Sequence, residues 1–474
     1  MNKQRFPIDA NRHYTYKDAE SLLADTDILL DMLKHHQEVQ LPRLEQLENY
    51  YLGNNVTVLE EVRRKEQHQA DHRATHNFAK YVSDFIKGYM MGIPLKTTYA
   101  EDDKTDELLR DINVTNDADD HNSELILNQS IFGRAYELVY RSKDDEAVFV
   151  EMDVKGTFVV YDDTVARDPI LAVRYSADRF EDNKVTVRVY TDNKIITYES
   201  DEGLNELTKV DDDTHYFEGV PIVEYENNKY RQGDFEDVLN LIDLYDAAQS
   251  DTANYMTDFN DAMLKITGNA DLTTDDAMEM KEANILLLEP SIDEHGNESK
   301  VEADYIFKQY DVAGTEAYKA RIFNNLLLMT SIPDLSDESF GGNQSGEAMK
   351  YKLFGLEQKR ATKERSFIRS LRRRYELISN ILTTASEGSF DVSKIDVTFT
   401  ENLPKNIQAE MEWFISAGGE LSQETMLSQL TFVDNAQEEM DRIKEESPQE
   451  GARSSMFEFP ESDEEVIEET VVDE

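Results

Sequence analysis

Between Val238 and Ile266 the sequence steps by three or four without a break through Leu241, Tyr245, Ala248, Thr252, Tyr255, Phe259 and Met263. That spacing lines up one side of a helix. About 30 residues at about 1.5 Å each make a rod of about 45 Å, against a mean of about 11–12 residues in globular proteins. Gly268 ends the run. The opposite side carries Asp243, Asp246, Ser250, Asn254, Asp258 and Asp261, a stripe rich in acids. A rod with one apolar side must be covered, either by its own chain or by symmetric copies of it.

The rest of the chain supplies further long helices and one β-rich block. Helices are expected over 18–50 and near 75–91, the latter stopping at Gly92 and Pro94, with shorter ones at 104–112 and 120–132. From Ala135 to Val210 the period changes to two, in runs separated by Asp, Asn and Gly clusters. This predicts an antiparallel meander, closed by the segment Gly219–Tyr225. Two strands, Asn284–Glu289 and Lys300–Gln309, flank a turn, and a helix follows over 312–330. A glycine-rich loop over 332–346 then leads into a helix over about 346–387, with Ser345 as its expected cap. One strand, Ile395–Thr400, precedes a helical pair over 406–446 that breaks at Gly418-Gly419 and restarts at Ser422.

Charge narrows the function. Of 474 residues, 49 are Lys or Arg and 99 are Asp or Glu, a formal net charge of −50. Duplex DNA and anionic membranes are gripped by Lys and Arg, so neither is expected on the outer surface. The chain has no cysteine. Disulfides and thiolate metal sites are thereby excluded, and a reducing compartment fits. No apolar run approaches the roughly 20 residues of a membrane span, and the first residues lack a signal core. A soluble protein made in the cytoplasm is expected.

The bases that exist are concentrated. Ten lie between Lys350 and Arg374, including Lys359, Lys363, Arg369, Arg372, Arg373 and Arg374, with only Glu357 and Glu364 opposing them. Spread around the helix, they suit pairing with acids of neighbouring elements or subunits better than a one-sided DNA stripe. The loop before them holds acids and glycines and no base, including Asp334, Asp337, Glu338, Gly341, Gly342, Asn343 and Gln344. Such a loop cannot hold DNA but can line a passage through which DNA slides. The segment 455–474 carries nine acids and no base, the composition of a disordered tail.

Candidates for catalysis are weak. His68, His72 and His76 fall four apart, as zinc ligands on a helix would, but Gln69 stands where a catalytic Glu would follow the first His. A polar helix start explains them. Asp117, Asp119 and Asp120, and separately Asp211–Asp213, lack the Gly and terminal Glu of a calcium loop and fit turns. No phosphate-binding glycine loop and no GxSxG nucleophile motif occurs. No catalytic, cofactor or metal residue is assigned, and no enzyme activity is expected. The alternative from another class is a metal-dependent hydrolase using the Asp or His clusters.

The order of parts resembles the portal proteins of tailed double-stranded DNA bacteriophages, of the kind found in siphophages of Gram-positive hosts. The resemblance spans about 75–446. It rests on the helix ending Gly88-Tyr89-Met90-Met91-Gly92-Ile93-Pro94, on Gly219-Val220-Pro221-Ile222-Val223-Glu224-Tyr225, on Ile332-Pro333-Asp334-Leu335 with Ser345-Gly346-Glu347-Ala348, and on Ser422-Gln423-Glu424-Thr425 and Val433-Asp434. It implies an α+β, mainly helical subunit of a twelve-membered ring at one capsid vertex of the virion, assembled in the host cytoplasm. By resemblance 1–235 is an α/β wing, 236–267 and 312–331 two stem helices, and 268–311 a small β-hairpin clip. The tunnel loop is 332–346, a helix and strand returning through the wing occupy 347–400, the crown is 401–446, and 447–474 is an acidic disordered tail. The implied partners are the terminase large subunit, the head–tail adaptor, and scaffolding and major capsid proteins. Double-stranded DNA passes through the channel, and no membrane is involved; the alternative within this setting is another virion structural protein. Asp243, Asp246, Asp258 and Asp261 become candidates for the channel lining, and Arg369, Arg372, Arg373 and Arg374 for contacts between subunits.

Overall fold

The computed structural model describes residues 5–60, 70–177, 184–201, 203–258, 263–267, 302–306, 311–334 and 346–400, with short pieces of 273–278 and 411–446. The chain forms two compact units, Met1–Asn402 and Leu403–Glu474.

The first unit opens with β1 (Tyr14–Thr15), α1 (Ala19–Ala24), α2 (Thr26–His35), α3 (Leu41–Tyr51) and α4 (Val56–Glu60). A π turn at His36–Gln40 joins α2 to α3. Next come α5 (Phe78–Met91), β2 (Lys96–Tyr99), α6 (Asp103–Thr115) and α7 (Ala118–Phe132). Helix α5 starts where Asn77 accepts the Lys80 N–H, so His72 and His76 precede the helix instead of riding on it.

The β block matches the period-two runs but divides differently from the expected single meander. Its strands are β3 (Arg134–Arg141), β4 (Ala147–Met152), β5 (Thr157–Tyr161), β6 (Pro169–Ala177), β7 (Lys184–Tyr190), β8 (Lys194–Asp201), β9 (Thr208–Thr214) and β10 (Ile222–Glu226). One sheet has the order β1-β5-β6-β7-β8-β9 and the other the order β10-β3-β4. The break falls at a 3-10 turn, Val154–Gly156. There the backbone runs so close to β6 that a Cβ on Gly156 would lie 2.5 Å from the Tyr175 carbonyl oxygen. The closing segment therefore seals the small sheet, with Ile222 opposite Leu138 and Glu226 opposite Arg134. Asp211–Asp213, expected in a turn, lie in β9, an edge strand.

The larger sheet has a core of two interlocking periods. Val185, Val187 and Val189 alternate inward from β7, and Leu29, Leu30 and Leu33 of α2 cover them together with Phe158, Val160, Leu171 and Val173. The smaller sheet is covered on its β10 side by the long basic helix described next.

Helix α8 (Leu239–Asp258) follows a 3-10 turn at Glu236–Val238. Its 20 residues span about 30 Å, shorter than the expected rod. Met263–Thr267, expected as its last turns, is β11, antiparallel to β12 (Glu302–Ile306), with Met263 opposite Ile306 and Thr267 opposite Glu302. A short run with Met263, Leu264 and Ile266 as its apolar residues fits either period, and the partner strand decides. The expected strand over 284–289 lies outside the described residues. Helix α9 (Val312–Thr330) begins at Asp311, whose side chain accepts the Gly314 N–H, and packs along α8. Helix α10 (Gly346–Ala385) has 40 residues, about 60 Å. Strand β13 (Ile395–Thr398) then pairs antiparallel with β2. Ser345 lies outside the described residues.

In the second unit, α11 (Gln423–Ser428) and α12 (Ala436–Glu446) pack on each other. Ser422 accepts the Thr425 N–H at 3.2 Å, the expected cap. Met426, Leu427 and Leu430 are buried. The break at Gly418-Gly419 and the segment 447–474 lie outside the described residues.

Candidate channel and assembly surfaces

The polar stripe of α8 faces inward. Asp246, Ser250 and Asn254 are buried, one helical turn apart. Along them runs the extended segment 70–77. Asn254 Oδ1 accepts the His72 N–H at 2.5 Å, Ser250 Oγ the Ala74 N–H at 2.9 Å, and Asp246 Oδ1 the His76 N–H at 2.9 Å. Asp246 also accepts from His76 Nδ1 at 2.9 Å and from Asn55 Nδ2 at 2.8 Å. Asp243 pairs with Arg5 at 2.7 Å and takes the Tyr50 hydroxyl. Asp246 is therefore not free to line a passage, a correction to the expected channel face. Asp243, 18 % exposed at its side chain, is tied to the same interior. The reason is electrostatic and steric together: the stripe meets backbone donors of the strap, which a purely apolar face could not satisfy. Asp258 ends the helix, and Asp261 lies outside the described residues.

Among exposed polar residues such as Asn240, Asp251, Glu316 and Arg321, α8 and its neighbours also expose large apolar side chains. Leu244 and Met256 on α8, Leu328 and Met329 on α9, and Tyr351 and Phe354 on α10 are all exposed, Leu328 and Tyr351 by 77 % and 81 %. Single exposed apolar residues are ordinary. Repetition of them on the three helices that follow one another from 239 to 385 is the mark of surfaces that other chains cover.

Five of the ten bases of α10 pair inside the subunit. Lys359 and Lys363 converge on buried Asp234 at 3.0 and 2.7 Å. Burial alone would raise the Asp234 carboxyl, but Lys363 and then Lys359 outweigh it and hold it far below the usual carboxylate range. Arg360 bridges Glu357 and Glu364, and Arg373 pairs with Glu376 at 2.8 Å. Arg374 is fully buried and grips Glu137, with Nε at 2.9 Å from Oε1, while lying 4.2 Å from the centre of the Phe149 ring. Expected at a subunit contact, Arg374 is instead the centre of a buried network. His121 Nε2, 2.7 Å from Glu137 Oε2, and the Tyr225 hydroxyl at 3.2 Å complete it. The helix also covers the edge of β10, where Ser370 and Ser366 donate to the carbonyl oxygens of Glu224 and Glu226 at 2.7 and 2.8 Å. Arg369 and Arg372 are exposed and Arg373 half-exposed.

Beside Ser366 and Ser370, a cleft of about 730 Å³ opens between α10, β10 and the loop around Asp168. Its floor holds a group that sequence spacing could not reveal, because its histidine lies over 200 residues from its two glutamates. His13, Glu224 and Glu226 have ligand atoms within 4.8 Å of one another. These atoms are already committed. Arg231 pairs with Glu224 at 2.6 Å, the Tyr161 hydroxyl donates to it at 2.6 Å, and His13 Nε2 meets Glu226 at 2.5 Å.

Among the described residues, the clusters weighed for hydrolase chemistry do not converge. His72 Nε2 meets Thr257 Oγ1 at 2.9 Å, and His76 meets Asp246. Asp117 precedes α7 with φ of 46°, and Asp119 and Asp120 fall in the first turn of that helix. Asp212 pairs with Lys209 and Lys194 at 2.6 and 3.5 Å. Asp334 follows α9, half-buried. Asp337, Glu338, Gly341, Gly342, Asn343, Gln344 and His68 lie outside the described residues. Among the described residues no helix is long and apolar enough to cross a membrane.

Comparison with known proteins places the chain in a family. A family model described as "Phage portal protein, SPP1 Gp6-like" matches residues 30–452. The portal protein of Bacillus phage SPP1 is 26 % identical over 400 residues, covering 80 % of this chain and 77 % of that protein. The portal protein of Clostridium phage phiCD119 is 24 % identical over 397 residues, covering 78 % and 83 %. With nearly nine-tenths of its length under the family model, the chain belongs to the SPP1 Gp6-like family of phage portal proteins.

Proposed function

We propose that twelve copies of this chain close into a ring at one capsid vertex, and that double-stranded DNA is packaged and ejected through the ring's axis. The role is structural, with the driving energy supplied by a separate ATPase, the terminase large subunit. The head–tail adaptor would dock after packaging, and scaffolding and major capsid proteins would surround the ring. In this reading 1–235 is the wing, α8 and α9 the stem pair, 268–311 the clip that meets motor and adaptor, 332–346 the tunnel loop, 347–400 the helix and strand returning through the wing, and 401–446 the crown.

The observation that carries the reading, beyond family membership, is the recurrence of exposed large apolar side chains on three successive helices. Polar groups of α8 satisfy its own subunit, while Leu244, Met256, Leu328, Met329, Tyr351 and Phe354 point outward. A heterologous contact repeated around an axis covers such residues in every copy at once. The acidity of the chain favours passage over retention, since phosphates are repelled. The channel candidates that remain are Asp258 and Asp261 with the acids and glycines of 334–344. Arg369, Arg372 and Arg373 remain candidates for contacts between copies.

The test is native mass with electron micrographs of the same sample. Rings of about a dozen subunits with an axial hole support the reading, and a chain that stays monomeric beside its capsid and scaffold partners overturns it. Removing 341–346 should leave rings intact and impair DNA packaging. Normal packaging by the shortened protein would remove that loop from the channel.

A further inference from the structure

Three arginines of α10 stand apart from its other bases. Arg365, Arg369 and Arg372 are exposed and follow one another at four and three residues, so they share one face of the helix. None has an ion pair or hydrogen bond among the described residues, whereas Lys359, Arg360, Lys363, Arg373 and Arg374 all do. Like charges at this spacing repel unless an anion sits among them. In a chain of net charge −50, three adjacent unpaired cations are conspicuous.

The stripe also lies along two adjoining hollows that share Arg369 and Arg373 and together make a trough. Arg365, Arg369 and Arg373 line the 730 Å³ cleft, and Arg369, Arg372 and Arg373 line a second hollow of about 530 Å³ beside Phe390 and Val392. Arg373 Nε is buried there without a partner. Of the acids lining it, Glu224 and Glu226 are held by Arg231 and His13, Glu376 by Arg373, and Asp391 accepts from Ser393, while Asp168 lies across the cleft from α10. The trough thus presents guanidinium donors, an apolar flank and no competing free carboxylate on α10 itself.

We propose that this trough receives the acidic segment 455–474 of a neighbouring copy. That segment has nine acids and no base, with Phe457 and Phe459 near its start, so it matches both the cationic stripe and the apolar flank. The stretch from Arg365 to Arg372 is only about 10 Å long, and a few extended residues cover it. Nucleic-acid phosphate is the competing anion, and the acid bulk of the chain disfavours it. The inference rests on the ring reading only in that a neighbour must be present.

The experiment uses the full chain with a photo-crosslinking residue at Phe459, mixed as light and heavy isotopic copies. Crosslinks joining a light to a heavy copy should map to 365–392. They should fall about tenfold in R365Q/R369Q/R372Q, which removes three charge-assisted donors, and should stay in the charge-matched control K17Q/K104Q/K143Q. They should also fade toward about 1 M salt, where the Debye length is about 3 Å. Crosslinks confined to one copy, mapped elsewhere, lost equally in the control, or unchanged in the arginine triple variant overturn the proposal. Rings without the crosslink refute the docking and leave the portal reading standing; the crosslink in assemblies that are not rings does the reverse.

Discussion

The buried hydroxyl of Ser250 accepts the backbone N–H of Ala74 at 2.9 Å, one turn of α8 from the matching bonds at Asp246 and Asn254. The regularity has a simple origin. Four helical residues rise about 6 Å, and two extended residues about 6.6 Å. Side chains at every fourth helix position therefore keep step with alternate residues of an extended strand, here 254, 250 and 246 against 72, 74 and 76. Ser366 and Ser370 repeat the device against Glu226 and Glu224 of β10. In both places a helix satisfies a backbone edge that no strand covers.

This ladder makes Asp246 structural. Asp246→Ala leaves the His76 N–H, His76 Nδ1 and Asn55 Nδ2 without their acceptor, at a cost of about 2–4 kcal/mol. Amide exchange across 70–77 should then rise by at least about 30-fold. Asp246→Asn keeps one acceptor oxygen and should show less than half of that free-energy effect. Unchanged exchange in the alanine variant would mean that the strap is held by other contacts.

Arg374 and Arg372 should separate by mechanism despite lying two residues apart. Burial raises the Glu137 carboxyl, but Arg374 and His121 outweigh it, so the group sits below its ordinary value. A depressed carboxylate stabilises the fold above the ordinary carboxylate range and loses that contribution as pH falls through the folded value. Arg374→Met strands a buried charge and should cost about 3–5 kcal/mol, seen as a lower Tm. Adding Glu137→Gln should restore more than half. Arg372→Glu, on an exposed residue, should stay within about 0.5 kcal/mol. Equal loss of Tm in both single variants would refute the distinction.

A histidine sets a second pH dependence. His36 is buried, its Nδ1 2.9 Å from the Tyr175 hydroxyl and its ring stacked 5.1 Å from that of Phe158. Burial, and after it Arg134 and Arg231, holds its pKa well below the ordinary 6.5. The unfolded chain then binds the proton that the folded chain refuses, so this contribution is complete above pH 6.5 and is lost as pH falls below it. The slope is about 1.4 kcal/mol per pH unit for one group. Unfolding free energies of wild type and His36→Phe between pH 7.5 and 5 should converge by about that amount per unit below 6.5. Parallel curves would show that His36 is not the group responsible.

The sequence exposed elements better than their partners. Helices α8 and α9, the basic helix and the strands of the β block follow from local period, because apolar spacing is a property of each element alone. Their assignments to partners are not local. The stripe from Asp243 to Asn254 has the composition of a solvated face, yet meets a strap about 170 residues earlier whose backbone donors it satisfies. Met263–Thr267 fits a helix by spacing and becomes a strand because Glu302–Ile306 pairs with it. Ten bases in one helix were visible, but their division between buried acids and an open trough depends on Asp234 and Glu137, which only the fold brings near.

Strand β9 shows what an acidic sequence does at a sheet edge. All seven of its residues are exposed, and its outer side has no strand partner among the described residues. A register shift where it pairs with β8 between Thr197 and Tyr198 leaves Val210 as the extra residue. Bulges and inward or edge charges both prevent a second sheet from adding on. Asp211 and Asp213 flank the one residue between them, Asp212, that Lys209 and Lys194 neutralise. Replacing Asp211 and Asp213 by Thr keeps β propensity and removes two repulsive charges per copy. The expected outcome is a nearly unchanged Tm with concentration-dependent aggregation into sheet-rich species, followed by light scattering and infrared spectra. Restoring either aspartate should suppress it. A double variant that stays as dispersed as wild type would show that the bulge at Val210 protects the edge without help from charge.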